Sequence, residues 1–198
     1  MKNTYIYFFA DGLYINLTNR CCNDCTFCLR NNHDGVGEDS LWLEEEGSKE
    51  EIVRQISQTD LSFDEAVFCG YGESTYRLDD MLFIADYLHS LGKKTRLNTN
   101  GLGSLINGED IVPKLVGKID FVSVSLNQCD AVKYDEVSRS VYGEEAFDAM
   151  LRFSKDCVDS GIKVLMTVVD VIPPEDIEKC RILTQKLGAQ FRVRNYIE

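Results

Sequence analysis

The sequence predicts an α/β fold in which a parallel sheet is covered by helices. Short apolar segments rich in β-branched residues alternate with segments of helical periodicity, which is typical of parallel strands joined by right-handed crossovers. Six strands form the main series of this alternation. Small or polar residues follow the carboxyl ends of several strands, where parallel sheets bind ligands.

The composition is that of a folded protein with an acidic balance. Hydrophobic residues make up 44% of the 198 residues, enough for a substantial core, and we expect one domain over residues 1–198. The formal net charge of −12 argues against a nucleic acid partner, which would need a basic surface. No apolar stretch approaches the roughly 18 residues of a membrane span, and the amino terminus lacks a signal-peptide pattern. We therefore expect a cytoplasmic protein without a membrane segment.

The amino-terminal segments predict a hairpin that leads into the first main strand. Thr4–Ala10 and Leu13–Leu17 are largely apolar, and the Asp-Gly pair between them is a hairpin signal. The polar segment Asn31–Ser40 predicts a loop. Ser48, with Glu51 three residues later, resembles a capping box at the start of a helix.

The rest of the chain continues the alternation of strands and helices. Short β-branched or apolar runs predict strands at Glu65–Gly70, Lys94–Thr99, Ile119–Leu126, Ile162–Val171 and Gln190–Ile197. Apolar residues at helical spacing, with glycine or proline near the ends, predict helices at Leu78–Leu91, Asn107–Val116, Ala131–Ser138, Glu144–Ser160 and Glu175–Leu187. A helix between consecutive strands is the usual connection in a parallel sheet.

Three cysteines near the amino terminus are the strongest candidate metal ligands. Cys21, Cys25 and Cys28 stand four and then three positions apart, and the turn-forming Asn23 and Asp24 let the backbone curl around one centre. Thiolates are soft ligands that suit iron–sulfur clusters, zinc or copper. Because most iron–sulfur clusters take four cysteines, three at this spacing indicate a cluster with one iron left open.

Other assignments of the cysteines stay open on spacing alone. Cys22 with Cys25 and Cys28 gives a register closer to a ferredoxin, which would make the chain an iron–sulfur electron-transfer protein, although the usual fourth cysteine and proline are absent. A structural zinc site would need a second ligand pair, whereas the later cysteines are single. Disulfides are disfavoured because no secretory segment precedes these cysteines.

The pattern Cys21-x3-Cys25-x2-Cys28, with the aromatic Phe27 before the last cysteine, resembles the cluster motif of the radical S-adenosylmethionine (SAM) superfamily. The resemblance implies that the three cysteines hold a [4Fe–4S] cluster whose open iron is chelated by SAM, with Phe27 at the cofactor. It also implies an external electron donor such as flavodoxin or ferredoxin. One electron cleaves SAM to a 5′-deoxyadenosyl radical, which abstracts a hydrogen atom from the substrate.

The turn after the strand Glu65–Gly70 carries a second part of the resemblance. Gly70, Tyr71, Gly72 and Glu73 resemble the Gly-Gly-Glu motif of the superfamily, with a tyrosine between the glycines. The resemblance implies that the backbone of these residues binds the amino group of SAM. Taken alone, the same residues also fit a tight strand-to-helix turn.

Later strand ends carry the remaining implied contacts with SAM. Asn100 lies in a Thr-Asn-Gly segment, and Ser125 and Asn127 lie in a Ser-Leu-Asn segment; both resemble segments near the ribose in this superfamily. Asn127 replaces an acidic residue, and it can still hydrogen-bond a hydroxyl group. Val168 lies where the superfamily packs the adenine.

The resemblance implies a partial (β/α)6 barrel of radical SAM type with a short N-terminal hairpin strand, formed by a single radical SAM core domain. The chain is similar to the TatD-linked radical SAM proteins over nearly its whole length, including the segments YINLTNRC, VFCGYGE and RLNTNGL. That subgroup supplies no reaction, so the substrate is unidentified. Because the chain shows no substrate-binding extension, we expect the substrate to be a protein or another large molecule. A glycyl-radical-type activase acting on a partner protein is the alternative enzyme.

Overall fold

The computed structural model describes residues 3–36 and 39–196. Its strands are β1 (Ile6–Phe9), β2 (Gly12–Ile15), β3 (Gly35–Val36), β4 (Asp39–Ser40), β5 (Glu65–Phe68), β6 (Lys94–Thr99), β7 (Phe121–Ser125), β8 (Lys163–Val169) and β9 (Gln190–Arg194). Its helices are α1 (Lys49–Ser57), α2 (Leu78–Ser90), α3 (Gly103–Asn107), α4 (Val112–Leu115), α5 (Ala131–Ser138), α6 (Glu145–Asp159) and α7 (Pro174–Leu187). Short 3-10 helices cover Leu29–Asn31 and Ser74–Arg77.

Within the described residues, seven strands form one sheet in the order β1-β2-β5-β6-β7-β8-β9, and β3 and β4 pair separately. β1 runs antiparallel to β2, whereas the other neighbouring strands of the large sheet are parallel. Every connection between consecutive parallel strands contains at least one α-helix. The structure therefore confirms the predicted α/β fold, with six parallel strands and a leading hairpin strand in the part of the chain that it describes.

The sheet curves so that its two sides approach each other across a concave face. Tyr14 lies on β2 and Arg192 on β9, with four strands between them. Burial raises the pKa of Tyr14, and the charges of Arg96 and Arg192 oppose this rise. A sheet in which β2 and β9 come into electrostatic range is curved as in a partial (β/α)6 barrel.

Side-chain alternation divides each strand between the core and the concave face. On β7, Val122 and Val124 are fully buried in the core with the helices, whereas Ser123 and Ser125 lie on the concave face. Phe68 of β5 belongs to the same core. Burial of each such apolar side chain contributes about 1.5–3 kcal/mol to folding, so the core holds the strand ends in place.

Two predicted segments differ from the structure. The predicted loop Asn31–Ser40 contains the small β3–β4 hairpin. The predicted short helix within Asn107–Val116 is confirmed only in part, because α4 lies inside this range whereas Asn107 ends α3 and residues 108–111 lie between the two helices. Gly108 has a φ of +66°, which ends α3, and Pro113 lies in the first turn of α4, where proline is tolerated.

The helix start predicted from the capping box is confirmed. The Ser48 hydroxyl accepts a hydrogen bond from the Glu51 N–H over 3.1 Å. The predicted last strand extends to Ile197, which lies outside the described residues. In the ranges that the structure describes, no helix combines the length and the apolar character needed to cross a bilayer.

Candidate functional site

The three candidate cysteines lie on the loop that follows β2, at the carboxyl edge of the sheet. The N–H of Asp24 on this loop donates to the Ser138 carbonyl at the end of α5 over 3.0 Å. The side-chain amide of Asn23 lies 3.3 Å from the hydroxyl of Tyr134, 111 residues further along the chain. The cysteine loop therefore takes its shape from α5 as well as from β2.

The thiols of Cys21, Cys25 and Cys28 are half-buried and lie within electrostatic range of one another. Burial raises the pKa of Cys25 to about 12, and the thiols of Cys28 and Cys21 add to this rise. Burial also raises the pKa of Cys28, against a hydrogen bond from the Arg30 backbone and the charge of Arg30. Three neighbouring thiols can become thiolates together when a bound cation compensates their charge.

Cys22 is buried in the core and supports Cys21. Its thiol donates a hydrogen bond to Oδ1 of Asn23 over 3.6 Å, and its proximity to the sulfur of Cys21 lowers the pKa of Cys21. The amide of Asn100 donates to the sulfur of Cys22 over 3.2 Å. Sequence reasoning missed this supporting pair, because Asn100 comes from a different strand end.

The ligand atoms that the cysteine loop offers are of the type that binds an iron–sulfur cluster. Among the described residues, no three histidine, cysteine, aspartate or glutamate side chains already stand together as a metal site. Cys21, Cys25 and Cys28 nevertheless offer three soft, half-buried ligands on one loop, the donor type that suits such clusters. Phe27, predicted to lie at the cofactor, is half-buried on the same loop.

The turn after β5 packs closely against the chain that leads to the cysteines. A Cβ atom on Gly70 would lie 2.0 Å from Oδ1 of Asn16, and a Cβ atom on Gly72 would lie 2.2 Å from the Thr18 carbonyl oxygen. Neither distance leaves room for a side chain. Close packing between two strand ends therefore requires glycine at both positions.

The carboxylate of Glu73 is buried and fully hydrogen-bonded. Its Oε1 accepts from the N–H and hydroxyl of Thr75 at 3.2 and 2.8 Å and from the Thr99 hydroxyl at 2.9 Å. Its Oε2 accepts from the Asn100 N–H at 2.8 Å. Burial raises the pKa of Glu73, and these donors oppose the rise. The carboxylate joins the ends of β5 and β6, while the backbone N–H of Glu73 donates to the Arg20 carbonyl over 2.8 Å and joins the same turn to the cysteine loop.

The side chain of Tyr71 packs against the segment around the β3–β4 hairpin. Its hydroxyl donates to the His33 carbonyl, and its ring meets that of Trp42 edge-on at 5.1 Å between centroids. The Asn32 amide donates to the Tyr196 hydroxyl over 3.2 Å. The segment after the cysteines is thus attached both to the turn after β5 and to the chain after β9.

The other predicted cofactor residues lie near the carboxyl ends of β7 and β8. Ser125 and Asn127 lie at the carboxyl end of β7. Asn127 has a φ of +61°, its amide donates to the Ser138 hydroxyl over 3.3 Å, and its Oδ1 is buried without a partner among the described residues. The side chain of Val168 is fully buried in the core, so the predicted contact with a cofactor would have to be made by its backbone.

The family model of the Radical SAM superfamily matches residues 15–183. No curated protein sequence matches the chain. SuiB of Streptococcus suis bound to S-adenosylmethionine has a similar structure, with a TM-score of 0.75 and 21% identity over 96% of this chain and 41% of SuiB. A radical SAM methyltransferase from Sphaerobacter thermophilus has a TM-score of 0.64 and 15% identity over 96% of this chain and 57% of the enzyme.

The protein anSMEcpe with bound AdoMet and Cp18Cys peptide has a TM-score of 0.68 and 15% identity over 93% of this chain and 50% of that protein. At these identities the structures show a shared fold, and this chain spans less than two thirds of each of the three. The family match covers the cysteine loop and the strand ends of the candidate site. The chain therefore belongs to the radical SAM superfamily, whose members are enzymes that use a [4Fe–4S] cluster and SAM.

Proposed function

We propose that this chain is a radical SAM enzyme whose cluster is held by Cys21, Cys25 and Cys28. When bound, the cluster and SAM supply a 5′-deoxyadenosyl radical, which abstracts a hydrogen atom from a substrate still to be identified. The observation that carries this proposal is three half-buried thiols on one loop at the carboxyl edge of a partial barrel, inside the segment that the family model matches.

Neighbouring residues prepare the cysteines to bind iron. The adjacent side chain of Cys22 lowers the pKa of Cys21. The backbone N–H and the charge of Arg30 favour the thiolate of Cys28. The guanidinium of Arg30 also donates to the Asn23 carbonyl over 3.2 Å, which fixes it beside the loop. These contacts lower the pKa of Cys21 and oppose the rise that burial causes in the pKa of Cys28.

In this proposal the residues at the strand ends would hold SAM. The backbone of Gly70, Tyr71, Gly72 and Glu73 binds its amine. Its nucleoside is bound by a further set of residues, which are Phe27, Asn100, Ser125, Asn127 and the backbone of Val168. The unpartnered Oδ1 of Asn127 supports this placement, because a ribose hydroxyl would supply the missing donor.

Electrons come from an external donor such as a flavodoxin or ferredoxin. Two similar structures hold a peptide, namely SuiB bound to the precursor peptide SuiA and anSMEcpe bound to the Cp18Cys peptide. They support a peptide or protein substrate for this chain, a class that includes the partner protein of an activase. Electron transfer without SAM chemistry would need Cys22 as a ligand, and its burial argues against that register.

Reconstitution with iron and sulfide under anaerobic conditions tests the proposal. The loaded wild-type protein should contain about four iron atoms per chain and release 5′-deoxyadenosine when dithionite and SAM are added. Alanine in place of Cys21, Cys25 or Cys28 should each abolish the cluster, whereas the matched variant Cys22→Ala should retain it. Loss of the cluster in Cys22→Ala but not in Cys21→Ala would establish the ferredoxin register. A loaded wild type that releases no 5′-deoxyadenosine would contradict the enzyme proposal.

A further inference from the structure

The concave face of the sheet carries a concentration of positive charge. The basic residues that alternate onto this face within the described strands are Lys94, Arg96, Lys163, Arg192 and Arg194, and the acidic residue among them is Glu65. The chain as a whole has the opposite balance, with 33 acidic and 21 basic residues. A positive face on an acidic protein concentrates negatively charged ligands there.

Arg96 is fixed near the middle of this face. Its guanidinium lies 2.7 Å from Oε2 of Glu65 and 6.0 Å from the centre of the Phe121 ring. Its Nε is buried without a hydrogen-bond partner in the described part of the chain, and so is Oδ1 of Asn98, two residues closer to the cysteine loop. An unpaired donor and an unpaired acceptor on one face mark a place for a polar ligand.

Arg192 and Arg194 extend the positive charge towards the cysteine loop. Across residues 3–36 and 39–196, neither is paired with an acidic side chain. Arg192 lies within electrostatic range of Tyr14, and Arg194 lies within range of Cys69 and Cys25. Both side chains are exposed, and their charges lie on the β9 side of the concave face, with Arg194 in range of the candidate cluster ligand Cys25.

We infer that Arg192 and Arg194 bind an anionic group of the substrate, a carboxylate or a phosphate, on the concave face beside the cysteine loop. Guanidinium groups bind such oxoanions through paired, charge-assisted hydrogen bonds. The two arginines also repel each other, and a bound anion relieves this repulsion. The inference rests on the proposed function in one respect, namely that the bound anion belongs to the substrate of the radical reaction.

Calorimetric titration with two probe anions tests the inference on the reconstituted protein in the absence of oxygen. Pyrophosphate represents a phosphate group, and citrate represents a carboxylate group. The probe that binds with the higher affinity indicates which type of anionic group the arginines bind. At low ionic strength, the wild type should bind at least one probe saturably. The double variant Arg192→Gln/Arg194→Gln should lose affinity by about tenfold or more, because two charge-assisted contacts are removed. The control Arg152→Gln, at an exposed position of α6, should bind like the wild type.

Three results would overturn the inference. These are no saturable binding of either probe, equal affinity in the wild type and the double glutamine variant, and competition between the probe and SAM, which would assign the arginines to SAM itself. If the double glutamine variant does not fold, Arg192→Lys/Arg194→Lys replaces it. This variant keeps the charge but loses the paired geometry, so it should bind the probe more weakly, and unchanged affinity would overturn the inference. The proposed function has a separate test: it is contradicted if the loaded wild type releases no 5′-deoxyadenosine, whatever the probe anions do.

Discussion

The side-chain amide of Asn100 lies 3.2 Å from the sulfur of Cys22 and 3.9 Å from the sulfur of Cys21. Asn100 follows β6 whereas both cysteines follow β2, so one amide joins two strand ends that are not neighbours in the sheet. Its Oδ1 accepts from the Leu102 N–H over 3.0 Å, which fixes the orientation of the amide. Asn100 therefore positions Cys21 and Cys22, in addition to the ribose contact proposed for it.

Asn100→Ala should weaken the attachment of the cysteine loop. The Cys22 sulfur and the Leu102 N–H both lose a buried partner, which should lower the free energy of unfolding by about 1–2 kcal/mol. Loss of the reconstituted cluster to an iron chelator, followed by absorbance, should be faster than in the wild type. Gln185→Ala, at an exposed position of α7, is the control and should match the wild type. Equal rates for Asn100→Ala and the control would contradict this positioning role.

Glu73→Gln should destabilise the fold although the two side chains have the same shape. The carboxylate accepts hydrogen bonds at both oxygens, so an amide at this position must place its NH2 group against another donor. An unsatisfied buried pair should cost about 1–3 kcal/mol in a denaturant titration. Glu50→Gln, at an exposed position of α1, should change stability little. A similar small effect in both variants would show that the Glu73 network is not tightly formed.

Gly72→Ala should disturb the cysteine loop more than a glycine substitution elsewhere. The added methyl group would meet the Thr18 carbonyl oxygen at 2.2 Å, so the backbone before the cysteines must move, at about 1–3 kcal/mol or more. Gly143→Ala is the matched comparison, because its methyl group meets nothing within 4 Å, although its φ of +58° costs about 1 kcal/mol. Iron content after reconstitution should fall in Gly72→Ala and stay normal in Gly143→Ala. Normal iron content in both variants would show that the loop tolerates the shift.

Lys133→Met should change the acid sensitivity of the fold. Lys133 and Lys179 lie 2.6 and 3.0 Å from the buried carboxylate of Asp176, and their hydrogen bonds hold its pKa below the ordinary value. Because the folded pKa is depressed, this carboxylate stabilises the fold above its unfolded-state pKa, and the stabilisation is lost as pH falls through the folded value.

Removal of Lys133 brings the folded pKa of Asp176 closer to its ordinary value. The loss of unfolding free energy between neutral and strongly acidic pH should therefore be smaller in Lys133→Met than in the wild type. Lys155→Met, which removes an exposed partner of Asp159, is the control and should keep the wild-type profile. Weaker SAM binding with an unchanged pH profile would instead place Lys133 at the cofactor.

The sheet could be predicted because its strands carry their own signals. The run Ile162–Val171 contains β8, whose residues are almost all apolar or β-branched, as burial requires. The region of Asn107–Val116 could not be predicted correctly from periodicity, because apolar residues continue through it at helical spacing. There the left-handed conformation of Gly108 divides the segment into two short helices.

The candidate site could be predicted in part, because the cysteine spacing and the strand-end glycines are local patterns. The roles of the surrounding side chains could not, because they depend on partners from other strands. Glu73 stands in a motif implied to bind SAM, yet its carboxylate is occupied by Thr99 and Asn100 at the end of the next strand. The arginines of β9 alternate visibly in the sequence, but the curvature of the sheet decides what they face.

The bond between Asn23 and Tyr134 also has a consequence for the order of events during synthesis. The cysteines leave the ribosome well before the helix that shapes their loop, since 111 residues separate the two bonded side chains. Until α5 has been made and docked, the cysteine loop lacks the hydrogen bonds that Tyr134 and Ser138 supply. Assembly of the proposed iron site would therefore wait for the synthesis of α5, and a truncated product that ends before Tyr134 would carry the whole cysteine motif without these contacts.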